Sequence, residues 1–196
     1  MQKENWLDHP VIPSIPGVTV EKLIIAVILI LTVITRFYNL DARVMAHDEV
    51  NHVVPSYDFY QGKGYRYDPV THGPFQFHAI TLSYFLFGAN DFSSRVPAAL
   101  FGVAAVAFAM LAFRRYLGRI GALAAGLFFL ISPFNMFYSR YTRNEVFIVF
   151  WGLGLLFSVL YYLETGEKKG LVLTTLFTAF HFIDKATSYI FTAEML

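Results

Sequence analysis

Long apolar runs with almost no charge dominate this chain of 196 residues. Crossing the hydrocarbon core of a bilayer takes roughly 20 apolar residues, so each such run is a candidate membrane span. The runs are residues 23–40, interrupted by Arg36 alone, residues 96–113, 120–139 and 146–163, and residues 170–193, interrupted by Asp184 and Lys185. A soluble fold of this size has no interior that could bury all of them. The sequence therefore predicts an all-α, polytopic membrane protein.

The amino-acid composition agrees with this fold class and argues against several functions. Only 15% of the residues are charged, whereas soluble domains carry about 25%. A net charge of +1 without a basic tract gives no basis for a nucleic-acid partner. The absence of cysteine excludes disulfides and thiolate metal sites. The membrane is the partner that the composition predicts.

The basic residues of the loops predict the topology. Three groups carry this signal: Lys3 and Lys22, then Arg114, Arg115 and Arg119, then Lys168 and Lys169. Because cytoplasmic loops carry the Lys/Arg excess, a cytoplasmic N-terminus places all three groups on one side. The predicted architecture is a lead-in at residues 1–19 and a single membrane domain at residues 20–196. Its predicted spans, about five, are residues 20–40, 95–113, 120–138, 145–163 and 170–191.

Residues 41–94 then form one long outer loop, in which we expect two interfacial helices. One covers residues 48–61. The other lies within residues 73–90, begins at Pro74 and ends at Gly88. Gln76 and His78 would be costly at membrane depth. The alternative, a sixth span, would invert every later loop.

The outer loop opens with the sequence MAHDEVNH, residues 45–52, which resembles a zinc-protease motif without matching it. In H-E-x-x-H, two histidines lie four residues apart on one helical face. Asp48 occupies the first ligand position here, and His47 lies one residue too early. A metal held by Asp48 or Glu49 with His52 or His72 stays an open alternative.

A second chemistry suits these residues better. Sugar transfer from a polyprenyl phosphate needs a carboxylate to deprotonate the acceptor hydroxyl. It also needs cations to stabilise the departing phosphate. Asp48 and Glu49 offer the first requirement. The next outer loop and the end of the last span offer the second, with Arg140, Arg143 and Lys185.

The chain resembles the N-terminal portion of the GT-C-fold, polyprenyl-phosphate-dependent glycosyltransferases, which include protein O-mannosyltransferases and aminoarabinose transferases. The features that carry the resemblance follow in order over nearly the whole chain. They are Arg36, the pair Asp48–Glu49, GKGYRYDP at 62–69, HGPF at 72–75, FGANDFSSR at 87–95, SRYTRNEVF at 139–147 and Lys185. The HGP sequence departs from the HPP that is common in the family.

The resemblance implies roles for seven residues. The catalytic candidates are Asp48, Glu49 and Glu145, with Asp48 matching the acid that deprotonates the acceptor. The substrate-binding candidates are Arg140, Arg143, Lys185 and His72, the first three for the donor phosphate. Some family members bind a divalent cation nearby, so the cofactor stays open. For Arg140 and Arg143 the competing interpretation is anchoring to lipid headgroups at a span end.

Two functions follow from this resemblance. The first is a membrane glycosyltransferase, or its N-terminal half, that transfers a sugar from a polyprenyl-phosphate donor to an acceptor hydroxyl on the outer face. The second is a non-catalytic subunit of the same fold that serves as a scaffold in a larger complex. Because family members are longer, we expect an apolar flank at residues 170–196 that other membrane-protein segments cover.

Overall fold

The computed structural model describes residues 5–12, 14, 16–66 and 73–195, with side chains as far as Glu194. Over those residues the fold is helical, without a β-strand, and a short 3-10 turn at Trp6–Asp8 precedes the α-helices. The helices are α1 (Val20–Phe37), α2 (His47–Tyr60), α3 (Pro74–Phe87), α4 (Asp91–Leu111), α5 (Arg114–Ile131), α6 (Pro133–Tyr138), α7 (Glu145–Thr165), α8 (Lys168–Asp184) and α9 (Ser188–Met195).

Local sequence determines where these helices begin and end. Asn90 caps α4 reciprocally: its side chain accepts from the Ser93 N–H at 2.8 Å, and its own N–H donates to Ser93 Oγ at 3.0 Å. Such a pair satisfies N–H groups that have no partner within the helix. α7 ends at Gly166, whose φ of 67° is left-handed, a conformation that glycine adopts without a Cβ penalty.

α4 is the central helix and contacts α1, α3, α5 and α7. Small buried residues such as Ala98, Ala99 and Ala105 let its neighbours approach closely. Next to it, α7 and α8 pack so tightly that a Cβ on Gly154 would overlap the Phe177 ring. Edge-to-face aromatic contacts fill the space between α3, α4, α7 and α8, formed by Phe75, Phe101, Phe147, Trp151 and Phe180.

Helices occupy the positions of all the predicted spans, but two of those spans are broken. The span predicted at 120–138 divides into α5 and α6, because Pro133 begins a new helix after Ser132 leaves helical geometry. The span predicted at 170–191 divides into α8 and α9, because Lys185 adopts an extended conformation. The second break places a lysine at a junction between helices.

Within the described residues, two helices, Asp91–Leu111 and Glu145–Thr165, are by themselves long and apolar enough to cross a membrane. α1 and α5 each include three charged residues at their ends, and α8 has 17 residues. The number of spans and the side on which the N-terminus lies therefore remain predictions. Large apolar side chains such as Val27, Ile30 and Ile34 are exposed along α1, as expected for a surface that contacts lipid.

α2 and α3 lie where the sequence predicts two helices within residues 41–94. α3 begins at Pro74 and ends before Gly88, as the sequence predicts. Its 14 residues extend for about 21 Å, less than the roughly 30 Å of a hydrocarbon core. α2 and α3 pack against each other. Their position at the membrane surface remains a prediction.

The bundle has two charged ends. At one end, the N-terminal segment and the start of α1 contact the start of α5. There Arg119 bonds Asp8 and Glu21, and Arg114 bonds Glu21. At the other end lie the start of α2, the loop of residues 139–144 and the α8–α9 junction. We call this second end the Asp48 end, and it contains the candidate site.

Candidate active site

Four predicted site residues from three parts of the chain meet at the Asp48 end. Arg143 Nη1 donates to Asp48 Oδ2 at 2.6 Å, and Arg143 Nε lies 3.5 Å from Glu145 Oε2. Lys185 Nζ donates to Glu145 Oε1 at 2.8 Å. We call Asp48, Arg143, Glu145 and Lys185 the Asp48–Lys185 network. It alternates two acids with two bases, so its formal charges cancel.

The network leads from the surface into the protein. The exposed fraction of the side chain falls from 49% at Asp48 and 27% at Arg143 to 16% at Glu145 and 14% at Lys185. Asp48 is therefore open to solvent. Lys185 is shielded at the inner end, where a cation interacts more strongly with an anion than it would in water.

An apolar groove begins at the inner end of the network. Its volume is about 570 Å³, and Glu145 and Lys185 belong to its lining. Most of its wall is hydrocarbon and aromatic, from Phe129, Phe134, Val149, Leu153, Leu156 and Phe191. We call it the α7–α9 groove. An apolar channel with a cation at one end suits a ligand with a long hydrocarbon tail and an anionic head.

Glu49, the neighbour of Asp48, has an opposite environment. It is fully buried, and its carboxylate accepts from Arg95 Nε at 2.9 Å, Arg95 Nη2 at 3.1 Å and Arg43 Nη2 at 2.8 Å. The backbone N–H groups of Ala46 and Thr142 donate to it at 3.0 and 3.1 Å. These donors occupy the lone-pair sites of a carboxylate. Glu49 thereby joins the start of α2 to α4 and to the loop of residues 139–144.

Electrostatics keeps Glu49 ionised. Burial alone would raise its pKa, but hydrogen bonds from Arg95 and from the Ala46 and Thr142 N–H groups outweigh burial. The pKa of Glu49 therefore lies below its ordinary value of 4.5. A carboxylate held in this way is a fixed negative charge at neutral pH.

Arg95 is an anchor to which the sequence analysis assigned no role. It is fully buried, and besides Glu49 it donates to the carbonyls of Leu40 and Arg43, each at 2.9 Å. It thereby fixes the turn between α1 and α2. A signal was present in the sequence, because an arginine at the edge of an uncharged run needs a buried partner.

A second set of hydrogen bonds positions Lys185. Asn144 Nδ2 donates to Asp184 Oδ1 at 2.8 Å and to the Asp184 carbonyl at 3.0 Å, and the Gly73 N–H donates to the same carbonyl at 2.9 Å. A Cβ at position 73 would overlap the Ile183 carbonyl, which explains glycine in the HGP sequence. His72, a predicted site residue, lies outside the described residues.

Arg140 points away from the Asp48–Lys185 network. Its guanidinium donates to the carbonyls of Thr35 at 2.7 Å and Asn39 at 3.0 Å, at the C-terminal end of α1. A cation there satisfies free carbonyls and complements the helix dipole. Arg140 and Arg143 are three residues apart in sequence but contact different helices.

Metal ligands are not grouped in the part of the chain that the structure describes. No three His, Asp or Glu side chains there come together as a metal site requires. The carboxylates of Asp48 and Glu49 contact arginines instead. His72, the remaining candidate ligand, lies outside the described residues.

Comparison with known families gives one match. A sequence model of the family described as dolichyl-phosphate-mannose-protein mannosyltransferase matches residues 71–196, more than half of the chain. The matched range contains Arg143, Glu145 and Lys185 and begins after Asp48. Neither the curated proteins nor the solved structures gave a significant match.

Proposed function

The chain belongs to the dolichyl-phosphate-mannose-protein mannosyltransferase family of membrane glycosyltransferases, and we propose that it transfers a sugar from a polyprenyl-phosphate donor to an acceptor hydroxyl. The observation that carries this proposal is the position of the Asp48–Lys185 network at the end of the α7–α9 groove. It places an accessible carboxylate, two cations and an apolar channel in one continuous site.

The donor lipid would lie in the α7–α9 groove. Its isoprenoid chain would contact the wall that Phe134, Leu153 and Phe191 provide. Its phosphate would reach Lys185 at the groove end and Arg143 beyond it. Charge-assisted hydrogen bonds from these groups are the strong ones in recognition of phosphate. The sugar would then lie near Asp48, where the side chain is half exposed.

Asp48 is the proposed general base. The acceptor oxygen forms a bond to the anomeric carbon of the sugar as its proton passes to Asp48. The bond between that carbon and the phosphate oxygen breaks, and the polyprenyl phosphate leaves with the electron pair. A carboxylate suits the first step because it accepts a proton as the hydroxyl becomes nucleophilic.

Arg143 couples the two halves of this reaction. Before transfer it contacts the negative charge of Asp48 at 2.6 Å. When Asp48 takes the proton, that charge disappears just as the departing phosphate gains one. The attraction of Arg143 therefore moves from the base to the leaving group. Stabilising charge only as it develops lowers the barrier rather than merely binding the substrate.

Glu49 and Glu145 have positioning roles in this proposal. Glu49 is saturated with donors and holds the first turn of α2, which fixes Asp48 beside Arg143. Glu145 lies between Arg143 and Lys185 and keeps two cations close together. Without an acid between them, the two cations would repel each other across the phosphate position.

The test is transfer of radiolabelled sugar from a polyprenyl-phosphate donor by the full chain in membranes, with donor retention measured in parallel. We expect the wild type to transfer sugar and Asp48→Asn to retain the donor without transfer. A folded wild-type protein that neither retains the donor nor transfers sugar would refute the proposal. Retention without transfer by the wild type would favour the scaffold function over the enzyme.

A further inference from the structure

The C-terminal end of α1 carries more positive than negative charge. Four guanidinium groups surround it, those of Arg36, Arg43, Arg95 and Arg140, which we call the arginine cluster. Glu49 is the only acid that pairs with this cluster among the described residues. Even if exposed Asp41 on the adjoining turn is counted, two positive charges remain uncompensated.

Repulsion within the cluster is visible at Arg140. Burial lowers the pKa of Arg140, and the charges of Arg95 and Arg43 lower it further. Arg140 is held in spite of this repulsion by the carbonyls of Thr35, Arg36 and Asn39. A bound anion would relieve the repulsion, since opposite charge nearby favours the charged form.

Arg43 is the member of the cluster with donors to spare. Its side chain is 46% exposed, and Nη2 donates to Glu49 at 2.8 Å. A guanidinium has five N–H donors, and in the described part of the chain no other hydrogen bond from Arg43 is found. Its guanidinium carbon lies 4.7 Å from the centre of the Tyr141 ring. The ring holds the group in place and leaves its edge open.

Arg43 and Arg140 share an open groove between α1 and α6. The groove measures about 690 Å³ and is lined by Ile34, Tyr38, Ala42 and Met136 besides the two arginines. Ile34 continues the exposed apolar face of α1, and Tyr38 is 70% exposed. We call it the α1–α6 groove. α6 separates it from the α7–α9 groove, because Met136 lines the former and Phe134 the latter.

We propose that the α1–α6 groove binds the phosphate headgroup of an anionic membrane lipid, with Arg43 and Arg140 as its ligands. The surplus of positive charge favours an anion. Two oxygens of a phosphate match the spacing of two guanidinium N–H groups. The adjoining apolar face of α1 selects an anion that carries acyl chains, because a free phosphate would gain nothing from it. The site is separate from the donor site and does not depend on the transferase reaction.

The test is native mass spectrometry of the full chain in uncharged detergent, with phosphatidylglycerol or phosphatidylcholine added. We expect the wild type to retain a phosphatidylglycerol molecule in preference to phosphatidylcholine. Arg43→Gln should weaken that binding by about tenfold, the contribution of one charge-assisted hydrogen bond. The matched control is Arg115→Gln, because Arg115 pairs with Glu164 at the opposite end of the bundle and its loss should change nothing.

Ala42→Glu tests the same site without removing an arginine contact. Ala42 is exposed and lines the groove, so a carboxylate there should repel the lipid headgroup while the fold is kept.

Equal retention of both lipids, or unchanged affinity in Arg43→Gln and Ala42→Glu, would overturn the proposal. Displacement of the lipid by millimolar inorganic phosphate would identify a soluble anion as the ligand. If Lys185→Gln weakened phosphatidylglycerol binding as much as Arg43→Gln does, the lipid site and the donor site would be the same site.

Discussion

The two grooves on either side of α6 differ in how their charges are balanced. In the α7–α9 groove, the Asp48–Lys185 network pairs every acid with a base. Beside the α1–α6 groove, the arginine cluster has one buried acid, Glu49, for four guanidinium groups. A balanced network exchanges a proton at low electrostatic cost, whereas an unbalanced cluster attracts an anion from outside. This difference supports the two proposals, sugar transfer from a lipid donor at the first groove and binding of an anionic membrane lipid at the second.

Two adjacent residues of α2 show the same contrast. Asp48 belongs to the α7–α9 side, with one arginine partner and half of its side chain exposed. Glu49 belongs to the α1–α6 side, buried beneath Arg95 and Arg43. One carboxylate is available to a substrate and the other is committed to the fold. Mutation of Asp48 should therefore mainly reduce activity, and mutation of Glu49 should mainly reduce stability.

Asp48→Asn should give the largest loss of activity. The change keeps the size of the side chain and removes its ability to accept a proton. We expect turnover to fall by roughly 10²- to 10⁴-fold, the contribution of a positioned general base. The measurement is kcat for sugar transfer in membranes at saturating donor. Because Asp48 is half exposed, stability should change by less than about 0.5 kcal/mol, and turnover close to wild type would assign Asp48 a structural role.

Glu49→Gln should give the largest loss of stability. It leaves Arg95 buried with no acid partner among the described residues, and breaking a buried pair from one side costs about 3–5 kcal/mol. The measurement is the free energy of unfolding of the purified protein in detergent, with Asp48→Asn as the matched neighbour. If both variants unfolded at the same denaturant concentration, the contrast between these two residues would be wrong.

The sequence predicted the helices better than it predicted the partners of the side chains. Apolar runs located α1, α4, α7 and α8 because burial in lipid or protein selects the same residue types. The break at Lys185 was not predicted, since it depends on tertiary hydrogen bonds from Asn144 and Gly73 to Asp184. The resemblance singled out Asp48 as the base, but nothing in the sequence showed that Asp48 is half exposed and Glu49 buried. That difference comes from Arg95, 46 residues away in the chain.

The structure brings some of the predicted site residues together and separates another from them. The order of motifs suggested Arg143, Glu145 and Lys185, and the structure brings them together with Asp48. The resemblance also suggested Arg140, with Arg143 and Lys185, as a ligand of the donor phosphate. The loop of residues 139–144 leaves no helix to keep Arg140 and Arg143 on one face, so spacing alone could not show that they point to different grooves.

Lys185→Gln should show that the polyprenyl-phosphate donor binds in the α7–α9 groove and not in the α1–α6 groove. We expect affinity for the polyprenyl-phosphate donor to fall by roughly 10- to 100-fold, the range for losing a charge-assisted hydrogen bond in a shielded site. The KM for the acceptor should stay near the wild-type value. Arg140→Gln is the comparison and should leave donor affinity largely intact. Equal losses in the two variants would mean that one phosphate contacts both grooves.

Acid pH should weaken the α1–α6 side through Glu49. The pKa of Glu49 lies below 4.5 in the folded protein, so its contribution to stability is complete above that value. The contribution is lost as pH falls through the folded-state pKa, because the unfolded chain then binds the proton more readily. We expect the unfolding temperature to decline below pH 4.5 in the wild type. Glu49→Gln should lack this component of the decline; if it declines identically, other carboxylates are responsible.

The smallest effect should come from two apolar residues of α6, and it tests directly whether this helix is the partition. Phe134 lines the α7–α9 groove and Met136 lines the α1–α6 groove. Phe134→Ala should weaken the polyprenyl-phosphate donor by roughly threefold to tenfold, since removing a partly exposed apolar contact costs on the order of 1 kcal/mol. It should leave retention of phosphatidylglycerol unchanged. Met136→Ala should do the reverse, because its contact is with the other lipid.

Titration of both variants with both lipids gives four affinities. If each variant weakened both lipids alike, the two grooves would act as one cavity and α6 would not separate them.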